Sequence, residues 1–103
     1  MQIDKRVANV IDWLINHSNA QENFIHPNDA DRLIRMANAL RDRNIPIDEK
    51  SISEYCQSAR LRTEVIQTII TKMLSAQNHH LRPKDRGFYE AYSDEFCDMI
   101  IYR

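Results

Sequence analysis

Apolar residues recur every three or four positions along most of this chain, and this spacing predicts α-helices. The first stripe predicts a helix from Ile3 to about Asn16, with Trp13 at the core edge and Asn9 on the polar side. Its apolar residues are Ile3, Val7, Val10, Ile11, Leu14 and Ile15. A polar loop follows, and Phe24 and Ile25 are expected to return the chain to the core.

Two boundary signals enclose the second predicted helix. Pro27 breaks any preceding helix, and the Asn28-Asp29 pair after it can accept hydrogen bonds at the next N-terminus. The helix end is predicted by Asn44, which tolerates the left-handed conformation, by the apolar Ile45, and by Pro46, which prevents continuation. The spacing between these signals therefore predicts a helix that ends just before Asn44.

Two further helices follow, near 48–59 and 63–76. Asp48 is expected to cap the first of them, with Ile47 and Ile52 at the positions of a hydrophobic staple. After a basic break, Thr63 is expected to cap the second. That fourth helix has the most regular apolar stripe in the chain: Val65, Ile66, Ile69, Ile70, Met73 and Leu74. It is therefore predicted to be the central helix.

The last part of the chain is predicted to be a loop and a fifth helix. Gln77 to Gly87 is polar and contains Pro83, which predicts a loop. The helix is expected to begin near Phe88 and to run to the end of the chain. Its stripe is Phe88 or Tyr89, Tyr92, Phe96, Met99 and Ile100. Together the patterns predict an all-α fold, a compact orthogonal bundle of about five helices forming a single domain over residues 1–103.

Composition supports this class and excludes several kinds of site. Gly87 is the only glycine, whereas β-sandwiches need repeated glycine turns and phosphate-binding loops need several glycines. No apolar run is long enough to cross a membrane. Cys56 and Cys97 are too few for a disulfide framework and are expected to be small core residues. A reduced, cytoplasmic protein is the expectation, and one disulfide between the two cysteines stays an open alternative.

The residues capable of chemistry do not form a recognisable catalytic or metal site. His79 and His80 are adjacent, but neighbouring histidines on a loop point in different directions, and no zinc-ligand spacing occurs. Cys97 lies among acidic residues, which disfavour the thiolate that catalysis needs. Asp94 and Asp98 share a helix face that suits solvent. We therefore expect a protein that is not an enzyme and has no cofactor and no metal.

Charge is concentrated in small patches of both signs. The net charge of −1 gives no overall attraction to nucleic acid or to anionic membranes. Arg60 and Arg62 form one basic patch. The last helix is expected to carry an acidic face, which consists of Glu90, Asp94, Glu95 and Asp98. Mixed patches favour another protein as the partner, and these six residues are the candidate contacts.

No motif identifies an activity, so the surface supports three hypotheses. The leading one is a protein-binding adaptor, because aromatic residues and arginines are frequent in interfaces. The aromatic candidates are Trp13, Tyr55, Tyr89, Tyr92 and Tyr102. The second is an immunity protein whose acidic stretch, Glu90 to Asp98, neutralises a basic nuclease toxin. The third is a DNA-binding regulator with a helix-turn-helix at 48–59 and 63–76, against which the acidic chain argues.

The order of these features resembles the YoaC-like family of small enterobacterial proteins. It starts with Ile3-Asp4-Lys5 at the opening of an amphipathic helix and continues with the turn into Ile45-Pro46. It ends with Phe88-Tyr89 and Tyr92 at the opening of the last helix. Family members tend to have glycine where this chain has Asn44, and this chain is richer in arginine. The resemblance implies a small helical fold with no known enzyme activity, and it transfers no functional residues.

Overall fold

The computed structural model describes residues 3–17, 25–79 and 94–103. The helices in these residues are α1 (Lys5–His17), α2 (Pro27–Asp42), α3 (Glu49–Ser58), α4 (Thr63–His79) and α5 (Asp94–Ile101). No strand occurs in the same residues, so the prediction of an all-α fold is confirmed. The predicted start of the last helix, near Phe88, lies outside the described residues.

α2 lies at the centre of the described helices. It packs against α1, α4 and α5, and its contact with α4 is the most extensive between any two of them. α3 packs on α4 and α1. The prediction that the fourth helix is central is therefore wrong, because the buried run from Met36 to Leu40 lets α2 contact neighbours on several sides. The radius of gyration, 12.5 Å, is that of a compact domain of this length.

The end of α2 has the conformation that the sequence predicts. Asn44 is left-handed with φ 60°, and its N–H donates to the carbonyl of Arg41 over 2.9 Å. The N–H of Ile45 donates to the carbonyl of Leu40 over 2.9 Å, and the Ile45 side chain is buried. These two bonds form a Schellman motif, which satisfies two carbonyls that a helix end otherwise leaves without donors.

The start of α3 is also as predicted. The Asp48 carboxylate accepts hydrogen bonds from the backbone N–H and the hydroxyl of Ser51, over 3.0 and 2.9 Å. These bonds to Ser51 hold the pKa of Asp48 below its usual range. Ile47 and Ile52 are both buried in the core, as a hydrophobic staple requires.

Other helix boundaries differ from the sequence prediction, beginning with the start of α2, where His26 caps the helix in place of Asn28 or Asp29. α1 begins at Lys5 because the Asp4 carboxylate caps it, accepting from the N–H of Arg6 over 2.8 Å. Thr63 is the first residue of α4, and Arg62 precedes it with its carbonyl accepting from the N–H of Ile66. α4 continues to His79, so the predicted loop does not start at Gln77. That stretch is polar but has no proline or glycine before Pro83 to end the helix.

Asn9 is buried, although the stripe placed it on the polar side of the first helix. Its side-chain amide donates to the carbonyl of Ile101 over 3.3 Å and lies 3.5 Å from the carbonyl of Arg103. The last carbonyls of a helix need donors from outside that helix, and Asn9 supplies one to α5. This bond joins α5 to α1. None of the described helices is long and apolar enough to span a bilayer.

Candidate interaction surfaces

The acidic residues of α5 lie against the arginines of α2. Arg35 Nη2 lies 3.2 Å from Asp94 Oδ1. Arg43 Nε donates to Asp98 Oδ1 over 3.0 Å, and Arg43 Nη2 donates to the same oxygen. Pairs this exposed contribute at most about 1 kcal/mol each to stability. They nevertheless give each of these two carboxylates a cationic partner within the protein, which leaves less negative charge for a binding partner.

Glu95 and Glu90 are the other two acidic candidates, and the structure describes only Glu95. Glu95 is exposed on α5 and has no ion-pair partner among residues 3–17, 25–79 and 94–103. Glu90 lies outside those ranges. Within the described part of the chain, the predicted acidic face therefore has Glu95 as its unpaired carboxylate.

Two large apolar side chains are exposed here, Met99 on α5 at 61% and Tyr102 directly after it at 57%. The predicted stripe placed Met99 in the core, and that prediction is wrong. Cys97, Ile100 and Ile101 fill the core instead, because α5 packs against both α1 and α2. The N–H of Tyr102 donates to the carbonyl of Asp98 over 3.0 Å, so Tyr102 continues the last turn of α5.

The remaining arginines of α2 are also held within the protein. Arg32 Nη1 lies 2.9 Å from Asp29 Oδ1, within the same helix. Arg41 donates through Nη1 to the carbonyl of Ala76 over 2.6 Å and through Nη2 to Asp42 over 3.1 Å. The bond to Ala76 connects α2 to the last turns of α4. The basic residues of α2 therefore hold the fold together and do not form a free cationic surface.

The turn between α3 and α4 leaves its two arginines exposed. The N–H of Arg60 donates to the carbonyl of Gln57 over 3.0 Å, and the N–H of Leu61 donates to the carbonyl of Cys56 over 3.2 Å. Arg60 is left-handed with φ 63°, and Leu61 is buried. Neither Arg60 nor Arg62 has an ion-pair partner in the described ranges. The predicted basic patch is thus present at the surface.

Trp13 is part of the core, with 5% of its surface exposed. Its ring stacks on His17 with centroids 4.9 Å apart and meets Phe96 edge-on at 5.7 Å. The sequence predicts a position at the core edge, and the structure places Trp13 inside the core. Its use as a surface contact for a partner is excluded by this burial.

Tyr55 is half-buried and bonded to a neighbouring helix. Its hydroxyl donates to Asp12 Oδ1 over 2.5 Å, which connects α3 to α1. Burial, followed by this bond to the carboxylate, raises the pKa of Tyr55 to about 12. Tyr55 therefore acts as a structural contact. Tyr89 and Tyr92 lie outside the described residues.

Both cysteines are free thiols in the core. The alternative of a disulfide between them is therefore wrong for this structure, and their expected role as small core residues is confirmed. Burial raises the pKa of Cys56 to about 11 and also raises the pKa of Cys97. A thiol that resists ionisation is a poor nucleophile and a poor metal ligand.

The two described histidine rings have local structural contacts. His17 Nδ1 lies 2.9 Å from the carbonyl of Trp13, and His26 Nδ1 accepts from the N–H of Asn28 at the start of α2. His79 lies in the last turn of α4 and His80 lies outside the described residues. In the part of the chain that the structure describes, no three potential ligands are grouped to hold a metal ion.

A shallow cleft of about 150 Å³ lies between the N-terminal ends of α1 and α3. Its lining residues are Ile3, Asp4, Val7, Pro46, Asp48, Ser51 and Ile52. Asp4 and Asp48 are already engaged, with the N–H groups of Arg6 and Ser51 respectively. Because its polar groups serve as helix caps, the cleft offers little for recognising a ligand.

Comparisons with protein-family models, with curated proteins and with solved structures found no match for this chain. The resemblance to the YoaC-like family therefore stays a prediction.

Proposed function

We propose that this chain is a non-enzymatic protein-binding module whose contact surface is the outer face of α5. We define the α5 surface as Glu95, Met99 and Tyr102. The observation that carries the proposal is the exposure of Met99 and Tyr102, the large apolar side chains that lie mostly in solvent within the described ranges. Methionine and aromatic residues are enriched in protein interfaces, where they bury apolar area.

The three residues are spaced so that one partner can contact all of them. Positions 95, 99 and 102 are separated by four and three residues, so they line one face of a helix. Fully burying an apolar side chain of this size is worth about 1.5–3 kcal/mol, so Met99 and Tyr102 can supply the core of a small interface. Glu95 at its edge suits a lysine or arginine on the partner.

The opposite side of α5 holds this surface in place. Cys97, Ile100 and Ile101 are buried in the core, and Asp94 and Asp98 pair with arginines of α2. A surface that is already ordered loses less conformational entropy when it binds. This support favours binding through α5 in the conformation described here.

The pairing of Asp94 and Asp98 also bears on the choice of partner. An immunity protein for a basic nuclease needs carboxylates that are free to meet cations. Two carboxylates of α5 already have arginine partners, so we favour a partner with an apolar surface over a strongly basic one.

Site-specific photo-crosslinking in the native host tests the proposal. A crosslinking residue at position 99 should capture a discrete partner protein, and one at Gln67, which is exposed on α4, should not. Met99→Ala/Tyr102→Ala should then weaken binding of the purified partner by at least about tenfold, equivalent to ~1.4 kcal/mol.

Gln67→Ala/Thr71→Ala is the matched control, since both residues are exposed on α4, and it should bind as the wild type does. Equal capture at positions 99 and 67, or unchanged affinity of the α5 double variant, would exclude the α5 surface. Capture of a second copy of this chain would redefine the module as a homo-oligomer.

A further inference from the structure

Among residues 3–17 and 25–79, the arginines fall into two groups. Those at the start of α1 and along α2 each lie within an ion pair: Arg6, Arg32, Arg35, Arg41 and Arg43. Arg60 and Arg62, in the turn between α3 and α4, are exposed and have no such partner in the described ranges. Within those ranges no carboxylate neutralises their charge, and both residues are exposed to solvent.

The local charge at this turn is positive although the chain as a whole is slightly acidic. Between residues 55 and 79 the basic side chains are Arg60, Arg62 and Lys72, and the single acidic one is Glu64. The excess of negative charge lies elsewhere in the chain, including the acidic residues on α5. The net charge of −1 therefore does not describe the surface that a ligand would meet at this turn.

α3, the turn 59–62 and α4 form a compact helix-turn-helix unit. The helices have 10 and 17 residues, and they pack against each other. A turn of three to four residues, with a left-handed position usually given to glycine, is typical of DNA-binding units of this kind. Arg60 occupies the left-handed position here, so a cationic side chain stands where the backbone would prefer glycine.

The outward face of α4 is polar over its first turns. Thr63, Glu64, Gln67 and Thr71 are exposed on it. Glutamine can bond to adenine and glutamate can accept from cytosine in the major groove, so this face can contact base edges. The opposite face of α4 is occupied by its packing on α2 and α3.

We propose that this unit binds duplex DNA, with Arg60 and Arg62 on backbone phosphates and the first turns of α4 in the major groove. Phosphates complement the two exposed guanidinium groups, and the width of the B-DNA major groove admits a helix such as α4. The A-form major groove of duplex RNA is too narrow for this geometry. This DNA site lies on α3 and α4, whereas α5 packs mainly on α1 and α2. It is therefore separate from the protein-binding surface proposed above.

Two phosphate contacts set the expected salt dependence. Each neutralised phosphate contributes a slope of about −0.9 in log Kobs against log salt, so two give about −1.8. So few contacts predict weak binding at physiological salt. We therefore expect a weak complex that can be measured at low salt and whose affinity falls about 60-fold for a tenfold rise in salt.

Fluorescence anisotropy with a short, mixed-sequence DNA duplex, titrated with the full chain at several salt concentrations, tests the proposal. The wild type should show a slope near −1.8, and Arg60→Ala/Arg62→Ala should weaken binding at low salt by about tenfold or more and bring the slope towards zero. Arg60→Gly/Arg62→Ala makes the same charge change while easing the left-handed backbone, so it separates lost binding from lost folding.

The matched control is Lys5→Ala/Lys50→Ala, which removes two exposed positive charges at the other ends of α1 and α3. It should keep the wild-type slope. Equal loss in this control, an unchanged slope in either arginine double variant, equally tight binding of duplex RNA, or stronger binding of an acidic peptide would each overturn the proposal. Met99→Ala/Tyr102→Ala should bind DNA as the wild type does, so this test fails or succeeds independently of the α5 surface.

Discussion

α2 and α3 end in the same backbone motif, a left-handed residue followed by a buried apolar one, with two N–H groups bonded back to the helix. At the end of α2 the pair is Asn44 and Ile45, and at the end of α3 it is Arg60 and Leu61. Asparagine tolerates the left-handed conformation, whereas most other L-residues find it about 1–2 kcal/mol less favourable. The two ends are equivalent as helix stops and differ in the residue at the strained position.

The surroundings of the two ends differ as well. Arg43, beside the first motif, is bonded to Asp98 and to the carbonyl of Ala39, so its charge serves the fold. Arg60 and Arg62, in the second motif and just after it, carry unpaired charges among the described residues. A residue at a strained backbone position whose exposed side chain has no ion-pair partner in residues 3–17, 25–79 and 94–103 is a candidate for a role outside the fold. The comparison therefore separates a structural stop from a candidate binding site.

The largest expected effect comes from the buried residue of each motif. Ile45→Ala and Leu61→Ala should each lower the free energy of unfolding by about 2–4 kcal/mol, because both side chains are buried in the core. Urea denaturation measures both, with the exposed Met99→Ala as a control expected to change little. A cost below about 1 kcal/mol for Leu61→Ala would mean that the second motif is not packed like the first.

The second prediction concerns alkaline pH and the end of α3, where the Cys56 carbonyl accepts from Leu61. Burial raises the pKa of the Cys56 thiol from 9.0 to about 11, so above pH 9 the unfolded chain ionises first and stability falls as pH rises. From pH 9 to pH 11 the wild type should lose on the order of 1–2 kcal/mol more than Cys56→Ala does. Urea denaturation across this range measures both proteins. If the wild type and Cys56→Ala lose the same free energy of unfolding, the raised pKa of Cys56 is contradicted.

Replacing each left-handed residue with glycine compares the two positions directly. Arg60→Gly should stabilise the protein by about 0.5–1 kcal/mol, since relief of the left-handed cost exceeds the added entropy of the unfolded chain. Asn44→Gly should change stability by less than about 0.5 kcal/mol, because asparagine already suits the conformation. Thermal unfolding of both variants checks this, and equal shifts would show that Arg60 is not strained.

The smallest effect is expected for the ion pair beside the first motif. A double-mutant cycle with Arg43→Ala and Asp98→Ala should give a coupling of at most about 1 kcal/mol that weakens with salt, as exposed pairs do. The same substitutions at Arg60 and Arg62 should leave the free energy of unfolding almost unchanged. A stability loss of more than about 1 kcal/mol for Arg62→Ala would indicate that this arginine has an internal partner.

Local signals explain why much of the fold could be predicted. The stop at Asn44, Ile45 and Pro46 and the cap at Asp48 depend on neighbouring residues, so the sequence contains all the information they need. The end of α3 has the same geometry but no glycine or asparagine, and its left-handed turn has no sequence signature at Arg60.

The surfaces depend on packing between distant parts of the chain and were harder to predict. Met99 and Ile100 both fit an apolar stripe, and only the docking of α5 against α1 and α2 decides which one is buried. The pairing of Asp94 with Arg35 joins residues 59 positions apart, which no helical spacing reveals. An alternative apolar stripe through Cys97, Ile100 and Ile101 would have predicted the buried face of α5 correctly. It would also have placed Met99 on the exposed face.

The left-handed Arg60 also has an evolutionary consequence. At position 60, glycine, asparagine and aspartate adopt the left-handed conformation more easily than other residues do. The remaining unbranched residues have a similar backbone cost, so exchanges among them leave the end of α3 nearly equally stable. Drift at this site would therefore be almost neutral for folding. Where related chains retain a positive charge at position 60, selection will have acted on the charge itself and not on the fold.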